Sequence, residues 1–177
     1  MNRPKSIFRR AAEGGLTLGA LFVCIFLAGS IAGTLGSLLS LALMIYVPVF
    51  VYRRLKSTYF AAHGLMTFSG LWLEGILHFI CGSVILALGT LVFLRWIAPD
   101  YLPAMVDAVS QAVAADPKAA VDSPVTPAQF AAYLASIRPI DIAMTLMWTA
   151  SFTGSIASLV IAAIVKSKLP PPPSHNL

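Results

Sequence analysis

Two residues whose side chains could carry chemistry, Glu74 and His78, stand inside an otherwise apolar run, FSGLWLEGILHFICGS. Residues four apart are neighbours on one face of a helix, so the carboxylate and the imidazole lie within reach of each other. An ionisable residue inside a membrane helix marks a candidate functional site, as part of a proton relay or a substrate path. We therefore take Glu74 and His78 as a candidate functional polar pair.

Catalysis or metal binding needs more groups than this pair supplies. A zinc site takes three or four protein ligands, and the di-iron helix motif spaces Glu and His three apart rather than four. The sequence has no HExxH motif, no Gly-rich phosphate loop and no GxSxG. The cores of the other apolar runs contain no Asp, Glu, Lys, Arg or His. We expect no catalytic residue, no cofactor and no metal ligand, hence a protein that is not an enzyme.

The composition predicts a membrane protein. Hydrophobic residues make up 58% of the chain and charged residues 11%, against about 25% charged residues in a typical soluble domain. The net charge of +5 does not indicate nucleic-acid binding, because the cations cluster at the ends of apolar runs. Cations at those places orient a protein in the bilayer, so we expect lipid as a partner and no nucleic acid.

Four apolar runs predict an all-α polytopic protein with four transmembrane helices in two hairpins. A span takes about 20 residues, and the runs cover residues 15–31, 35–52, 71–96 and 140–165. Together they form one predicted domain, residues 1–169, followed by a proline-rich tail, residues 170–177. The start of the chain, ending in LAGSIAG, also resembles a cleavable signal peptide. The second apolar run follows after only a few residues, which favours a hairpin.

The cations outside these runs predict the orientation of the chain. With four crossings, three basic groups fall on one side of the membrane, and we take their members as topology anchors: Arg9 and Arg10, then Arg53, Arg54 and Lys56, then Lys166 and Lys168. Arg95 and Trp96 anchor the third span at the opposite side, where most of the acids lie. The positive-inside rule then places both termini in the cytoplasm.

Two further patterns concern packing and the segment between the last two spans. Gly15, Gly19, Gly29 and Gly33 are spaced so that helix backbones can approach closely in lipid. We expect them to pack the first two helices of one chain together, with a homodimer contact as the alternative.

Residues 98–139 predict two short amphipathic extracytoplasmic helices, which would form a lid, an interfacial layer or a docking surface.

The depth of Glu74 follows from the anchors of the third span. If Arg95 and Trp96 mark one boundary, about 20 residues at 1.5 Å each place the other boundary near residue 75. Glu74 is then expected to be a hydrated carboxylate at the cytoplasmic interface, and His78 to lie about one turn deeper. The expected partners of Glu74 are Arg53, Arg54, His63 or His78.

The order of these patterns resembles a bacterial inner-membrane family catalogued as domain-of-unknown-function family 4199. The likeness rests on GGLTLGALF in the first span, YRR after the second, TFSGLWLEGI opening the third and FLRWIAPDYL closing it. It covers most of the chain but includes no catalytic signature. The resemblance implies four helices with both ends inside, and it implies no activity or cofactor.

The functional expectation is a non-catalytic accessory or scaffold subunit of a larger complex in the bacterial cytoplasmic membrane. Its partner would be another membrane protein or further copies of the chain. The alternative is a small oligomeric transporter or lipid-handling channel that uses Glu74 and His78 near the cytoplasmic side.

Overall fold

The computed structural model describes residues 7–31, 33–62, 64–115, 129, 132–133 and 136–168. Within these residues the chain forms five helices and no strand: α1 (Ile7–Ile31), α2 (Gly33–Ala61), α3 (Phe68–Val92), α4 (Tyr101–Ala115) and α5 (Pro139–Lys168). All but α4 are long and apolar enough to cross a membrane. The predicted all-α class with four candidate spans is therefore confirmed.

Two helices extend beyond the apolar runs that predicted them. The first helix begins at Ile7 rather than near residue 15, and the second continues to Ala61 rather than ending near residue 52. The added segments are rich in Arg, Lys, Ala and Leu, which are good helix formers even though they are not all apolar. The helices therefore carry Arg9, Arg10 and the Arg53–Arg54 pair on regular backbone.

Two glycines have positive φ, one where α1 connects to α2 and one where α2 connects to α3. Gly33 has φ +55° at the start of α2, and Gly64 has φ +73° after its end. The Gly64 N–H donates to the Tyr59 carbonyl at 3.0 Å, a bond that satisfies a terminal carbonyl of α2. The Thr67 hydroxyl accepts the Gly70 N–H at 3.2 Å and so caps the first turn of α3.

The third helix ends in a wider turn that the sequence did not predict. Residues Phe93–Ile97 are π-helical, and the Ala98 N–H donates to the Phe93 carbonyl at 2.8 Å. Pro99 follows, has no N–H to donate, and disfavours helical backbone at the residue before it. Ala98 accordingly leaves the helix, with φ −138° and ψ 70°.

The segment before α5 is partly described. Helix α4 lies where the first of the two short helices was predicted, and Leu102 is buried there while Met105 and Val109 are exposed. Most of the second predicted helix lies outside the described residues. Helix α5 begins at Pro139, one residue before the predicted fourth run, and the Arg138 N–H donates to Asp141 Oδ2 at 3.0 Å. The acid therefore lies at the positive end of the helix.

The backbone separates into two compact units, Met1–Ala87 with Leu146–Leu177, and Leu88–Thr145. In the first unit, four helices share one apolar core. Its buried side chains recur about every four residues along each helix: Leu18 from α1, Val47, Val51, Leu55 and Tyr59 from α2, Leu71 and Phe79 from α3, and Ile161, Ala162 and Val165 from α5. The polar pair belongs to the same unit. The single-domain boundary at residue 169 stays a prediction.

Candidate functional site

Glu74 lies in the interior of the first unit, not at a hydrated boundary. Glu74 is 0% exposed, and its Oε1 atom accepts a hydrogen bond of 2.8 Å from the Thr58 hydroxyl of α2. A buried carboxylate without a donor costs several kcal/mol, so this bond from a neighbouring helix offsets part of that cost. The expectation of a hydrated Glu74 is wrong. The ends of α1 and α2, which extend further than predicted, cover the carboxylate.

The cationic partner of Glu74 is Arg10, which lies near the start of α1. Arg10 Nη2 is 3.5 Å from Glu74 Oε2, and the side chain of the arginine is 28% exposed. The contact is an ion pair rather than a hydrogen bond, since Oε2 and Arg10 Nε are both buried without a hydrogen-bond partner in the described part of the chain. The carboxylate therefore joins α1 and α2 to α3.

His78 contacts the backbone of Glu74 rather than its carboxylate. Its Nδ1 atom lies 2.6 Å from the Glu74 carbonyl oxygen. A carbonyl only accepts, so Nδ1 carries the proton and donates. The Nε2 atom is buried and has no hydrogen-bond partner among the described residues. The ring is thus held through Nδ1, with Nε2 facing α1 at Gly14.

Gly14 of α1 provides the surface against which the His78 ring packs. A β-carbon at Gly14 would overlap the ring, at the Nε2 and Cδ2 atoms. Only glycine leaves enough space for an imidazole so close to the backbone. One turn earlier on the same helix lies Arg10, so the start of α1 contacts both members of the polar pair.

The small residues of α1 continue this close contact along α3. A β-carbon at Gly15 would overlap Cys81, and one at Gly19 would lie 2.6 Å from the Ile85 β-carbon. From the other side, a β-carbon at Gly82 would lie 3.3 Å from the Gly19 backbone nitrogen. We expected these glycines to pack the first helix against the second. Instead Gly15 and Gly19 pack against the third helix, because α3 also has a small residue at the crossing.

Of the other two glycines, Gly29 contacts α2 and Gly33 does not act in packing. A β-carbon at Gly29 would lie 3.5 Å from the Ser40 hydroxyl, which is an ordinary contact distance. A β-carbon at Gly33 would meet nothing within 4 Å. Gly33 is therefore required by its positive φ in the turn and not by a close approach between helices.

Helix α5 packs on the opposite side of α3 through small and hydroxyl-bearing residues. A β-carbon at Gly75, next to Glu74, would lie 2.8 Å from Ser158. About two turns after Gly75 on α3, the Ser83 hydroxyl lies 2.7 Å from the Ser151 hydroxyl of α5. Hydroxyl pairs of this kind link helices in lipid, where water does not compete for them.

The three predicted basic groups lie at one end of this unit. Arg10 contacts Glu74 near the start of α3, and Lys166 near the end of α5 donates to the Met66 carbonyl at 3.1 Å. Lys166 Nζ also lies 5.8 Å from the centre of the Tyr59 ring. The end of α2, with Arg53, Arg54 and Lys56, lies beside these contacts. Arg95 and Trp96 belong to the π-helical turn, where Trp96 is 67% exposed.

The expected partners of Glu74 differ from those found. Arg53 and Arg54 form no ion pair with it among the described contacts, and His63 lies outside the described residues. Arg10 and Thr58 were missed as partners. One signal could have found Arg10: it stands one turn before Gly14 and Gly15, on the same side of the helix that packs against α3.

The polar pair is enclosed by the packed helices and is not part of a metal-binding cluster in the described residues. Across the described residues, no group of three or more His, Cys, Asp or Glu side chains is placed to hold a metal ion. Glu74 and His78 are 0% and 1% exposed, so a substrate cannot reach them in this conformation. What the arrangement does provide is a polar contact between three helices within an apolar core.

Comparison with known proteins gives one match. A family model described as "Protein of unknown function (DUF4199)" matches residues 11–167. Searches of curated proteins and of solved structures found no match. The matched range includes Glu74, His78, Gly14 and Thr58 but begins just after Arg10.

Proposed function

The chain belongs to the family of proteins of unknown function DUF4199, and from that premise we propose that it is a non-catalytic accessory or scaffold subunit of a larger complex in the bacterial cytoplasmic membrane. The observation that carries the proposal is the burial of the polar pair. Glu74 and His78 are held by Arg10, Thr58 and backbone groups. Their contacts join helices instead of facing a substrate.

The outward surface of the first unit supports a role in association. Large apolar side chains on α2 and α5 are more than half exposed, among them Leu35, Leu38, Met44, Ile45, Phe152 and Ile156. In a bilayer such a surface contacts lipid or the helices of another protein. A groove of about 350 Å³ between α3 and α5, with Trp148 and Phe152 at its edge and Ser151 in its lining, is where we expect a partner helix to pack.

The proposal includes an orientation. Both termini face the cytoplasm, and α4 belongs to an extracytoplasmic segment between the last two spans. The support is the collection of three basic groups at one end of the first unit, since Lys and Arg next to spans remain in the cytoplasm.

Site-specific crosslinking during mild-detergent purification tests the accessory role. A photo-reactive amino acid at Phe152, in the groove, is expected to capture one defined membrane protein. The matched control is the same amino acid at Leu35, which is 79% exposed on α2 and lies outside the groove. Equal, unselective crosslinking from both positions would contradict a defined partner at the groove.

A second candidate function, a small oligomeric transporter or lipid-handling channel, has one observation in its favour. Arg10 Nε, Glu74 Oε2 and His78 Nε2 are buried without hydrogen-bond partners in the described part of the chain, and a conformation that opened the cluster to water would satisfy them. In this case Glu74→Gln would abolish a measured flux while assembly stayed intact. Under the accessory role, the same substitution leaves partner capture unchanged.

A further inference from the structure

Two Arg–Arg pairs flank the first hairpin at equal distances from its turn. Arg10 lies 22 residues before position 32, and Arg54 lies 22 residues after it. At 1.5 Å per residue this places both pairs about 33 Å from the turn, close to the roughly 30 Å thickness of the hydrocarbon layer. With the turn at one membrane boundary, Arg9–Arg10 and Arg53–Arg54 both lie at the other.

Contacts around Glu74 show that Arg10 and Arg54 face the same place. Arg10 is 3.5 Å from the Glu74 carboxylate, and Thr58 donates to that carboxylate at 2.8 Å. Thr58 is one turn beyond Arg54 on the same side of α2. The Arg54 side chain is itself half-buried. The two arginines therefore approach one location from adjacent helices.

Positive charge exceeds negative charge at this location. Glu74 pairs with Arg10, and Glu13 pairs with Arg9 at 3.3 Å. Among the described residues, no carboxylate lies within ion-pair distance of Arg53 or Arg54. Arg10 Nε is an additional donor without a hydrogen-bond partner there. Of the four arginines, Arg53 and Arg54 are thus left without a carboxylate partner among the described residues.

We propose that this location binds the phosphate group of an anionic phospholipid between α1 and α2, with Arg54 as its main ligand and the exposed Arg53 next to it adding positive charge. Guanidinium groups suit phosphate because their planar N–H donors match its oxygens. At a membrane boundary the abundant phosphates are those of lipid headgroups, and basic pockets between helices recognise anionic ones. The proposal goes beyond the accessory role and depends only on the hairpin crossing the bilayer.

The test is lipid titration of the full chain, purified in a neutral detergent and measured by native mass spectrometry. The probes are a short-chain phosphatidylglycerol, the phosphatidylcholine of the same chain length, and inorganic phosphate. We expect tighter binding of phosphatidylglycerol than of phosphatidylcholine. Substituting Arg53→Gln and Arg54→Gln should weaken phosphatidylglycerol binding by about fivefold for each arginine.

Two further variants separate the effect of charge from an effect on structure. Arg95→Gln, which removes a cation at the other end of α3, is the matched control and should leave binding unchanged. Replacing both Arg53 and Arg54 by Lys keeps the charge and should retain most of the binding, with helicity verified by circular dichroism. The proposal is overturned if both lipids bind equally, if the Gln variant binds like wild type, or if inorganic phosphate binds at the same arginines as tightly as the lipid.

Discussion

At the scale of single residues, the Glu74–Arg10 pair determines whether a charge is tolerated in the apolar core. Glu74 is 0% exposed, and Arg10 supplies its only cationic contact among the described ion pairs. Removing one partner of a buried pair costs more than removing both, because the remaining charge stays buried and unpaired. The stability of the unit therefore depends on the two residues jointly.

We predict that Arg10→Gln lowers the free energy of unfolding by about 3 kcal/mol, the lower end of the range for a broken buried pair, since Arg10 is 28% exposed. The double variant Arg10→Gln with Glu74→Gln should recover most of this loss. Denaturant unfolding in detergent of the wild type, the two single variants Arg10→Gln and Glu74→Gln, and the double variant gives the coupling energy directly. Additive effects of the two substitutions would show that the pair is not coupled.

A second prediction concerns the contact between Gly14 and His78. Gly14→Ala places a methyl group on the His78 ring, and such overpacking costs about 1–3 kcal/mol. Gly29→Ala is the matched control on the same helix, because its β-carbon would meet Ser40 only at 3.5 Å. It should be neutral or stabilising by up to about 1 kcal/mol.

Thermal unfolding of the two alanine variants measures the difference, and a third variant identifies its cause. His78→Ala removes the ring that the new methyl group would meet. Gly14→Ala should therefore cost much less in the His78→Ala background than in the wild type. An equal cost in both backgrounds would mean that the ring is not the obstacle.

At this scale the sequence singled out Glu74 and His78 but predicted neither the burial of Glu74 nor its partners. Glu74 and His78 stand out because they are ionisable residues in an apolar run. Arg10 and Thr58 lie on other helices, far away in the chain, and their contacts depend on how the helices cross. The depth of Glu74 was estimated from α3 alone, and that estimate could not include the cover provided by α1 and α2.

At the scale of helices and turns, the α1–α2 hairpin depends on backbone conformation at Gly33. Its φ of +55° lies in the left-handed region, and no atom lies within 4 Å of a β-carbon built there. We predict that Gly33→Ala costs about 1 kcal/mol from backbone strain alone. Gly33→Asn should cost less, because asparagine tolerates this conformation better. Equal costs for Ala and Asn, measured by thermal unfolding, would contradict a backbone cause.

Helix existence was easier to predict than helix boundaries and neighbours. Length and hydrophobicity predicted four spans, and the fourth apolar run began within one residue of the start of α5. The charged segments at residues 7–14 and 53–61 continue their helices because nothing in them breaks a helix. The glycine spacing at Gly15 and Gly19 indicated a close contact, but spacing describes only one of the two surfaces. These glycines pack against α3 rather than α2 because Gly82 also leaves space for a close approach on the facing side of α3.

At the scale of the whole molecule, the distribution of cations leads to a prediction about orientation. Three basic groups lie at one end of the first unit, which favours both termini in the cytoplasm. We expect a cysteine added at either terminus to react with an impermeant thiol reagent only from the cytoplasmic side. A cysteine at Met105, 39% exposed on α4, should react only from outside. The native Cys24 and Cys81 lie within spans and are replaced by Ala as background.

Termini labelled from opposite faces would remove the basis for an even number of crossings. If the amino terminus is the one labelled from outside, the Arg53–Arg54 pair lies at the outer boundary with it. The proposed anionic-lipid site concerns a membrane boundary of either kind, so the lipid titration tests it separately.

The measurement that tests the accessory role most directly is the mass of the intact assembly extracted from its own membrane, obtained by native mass spectrometry. The chain has a mass of 18.8 kDa. We predict an assembly that contains at least one different polypeptide in a fixed ratio to this chain. An assembly whose mass, apart from bound lipid, is one or several times 18.8 kDa would contradict the accessory role, and a homo-oligomer would favour the transporter.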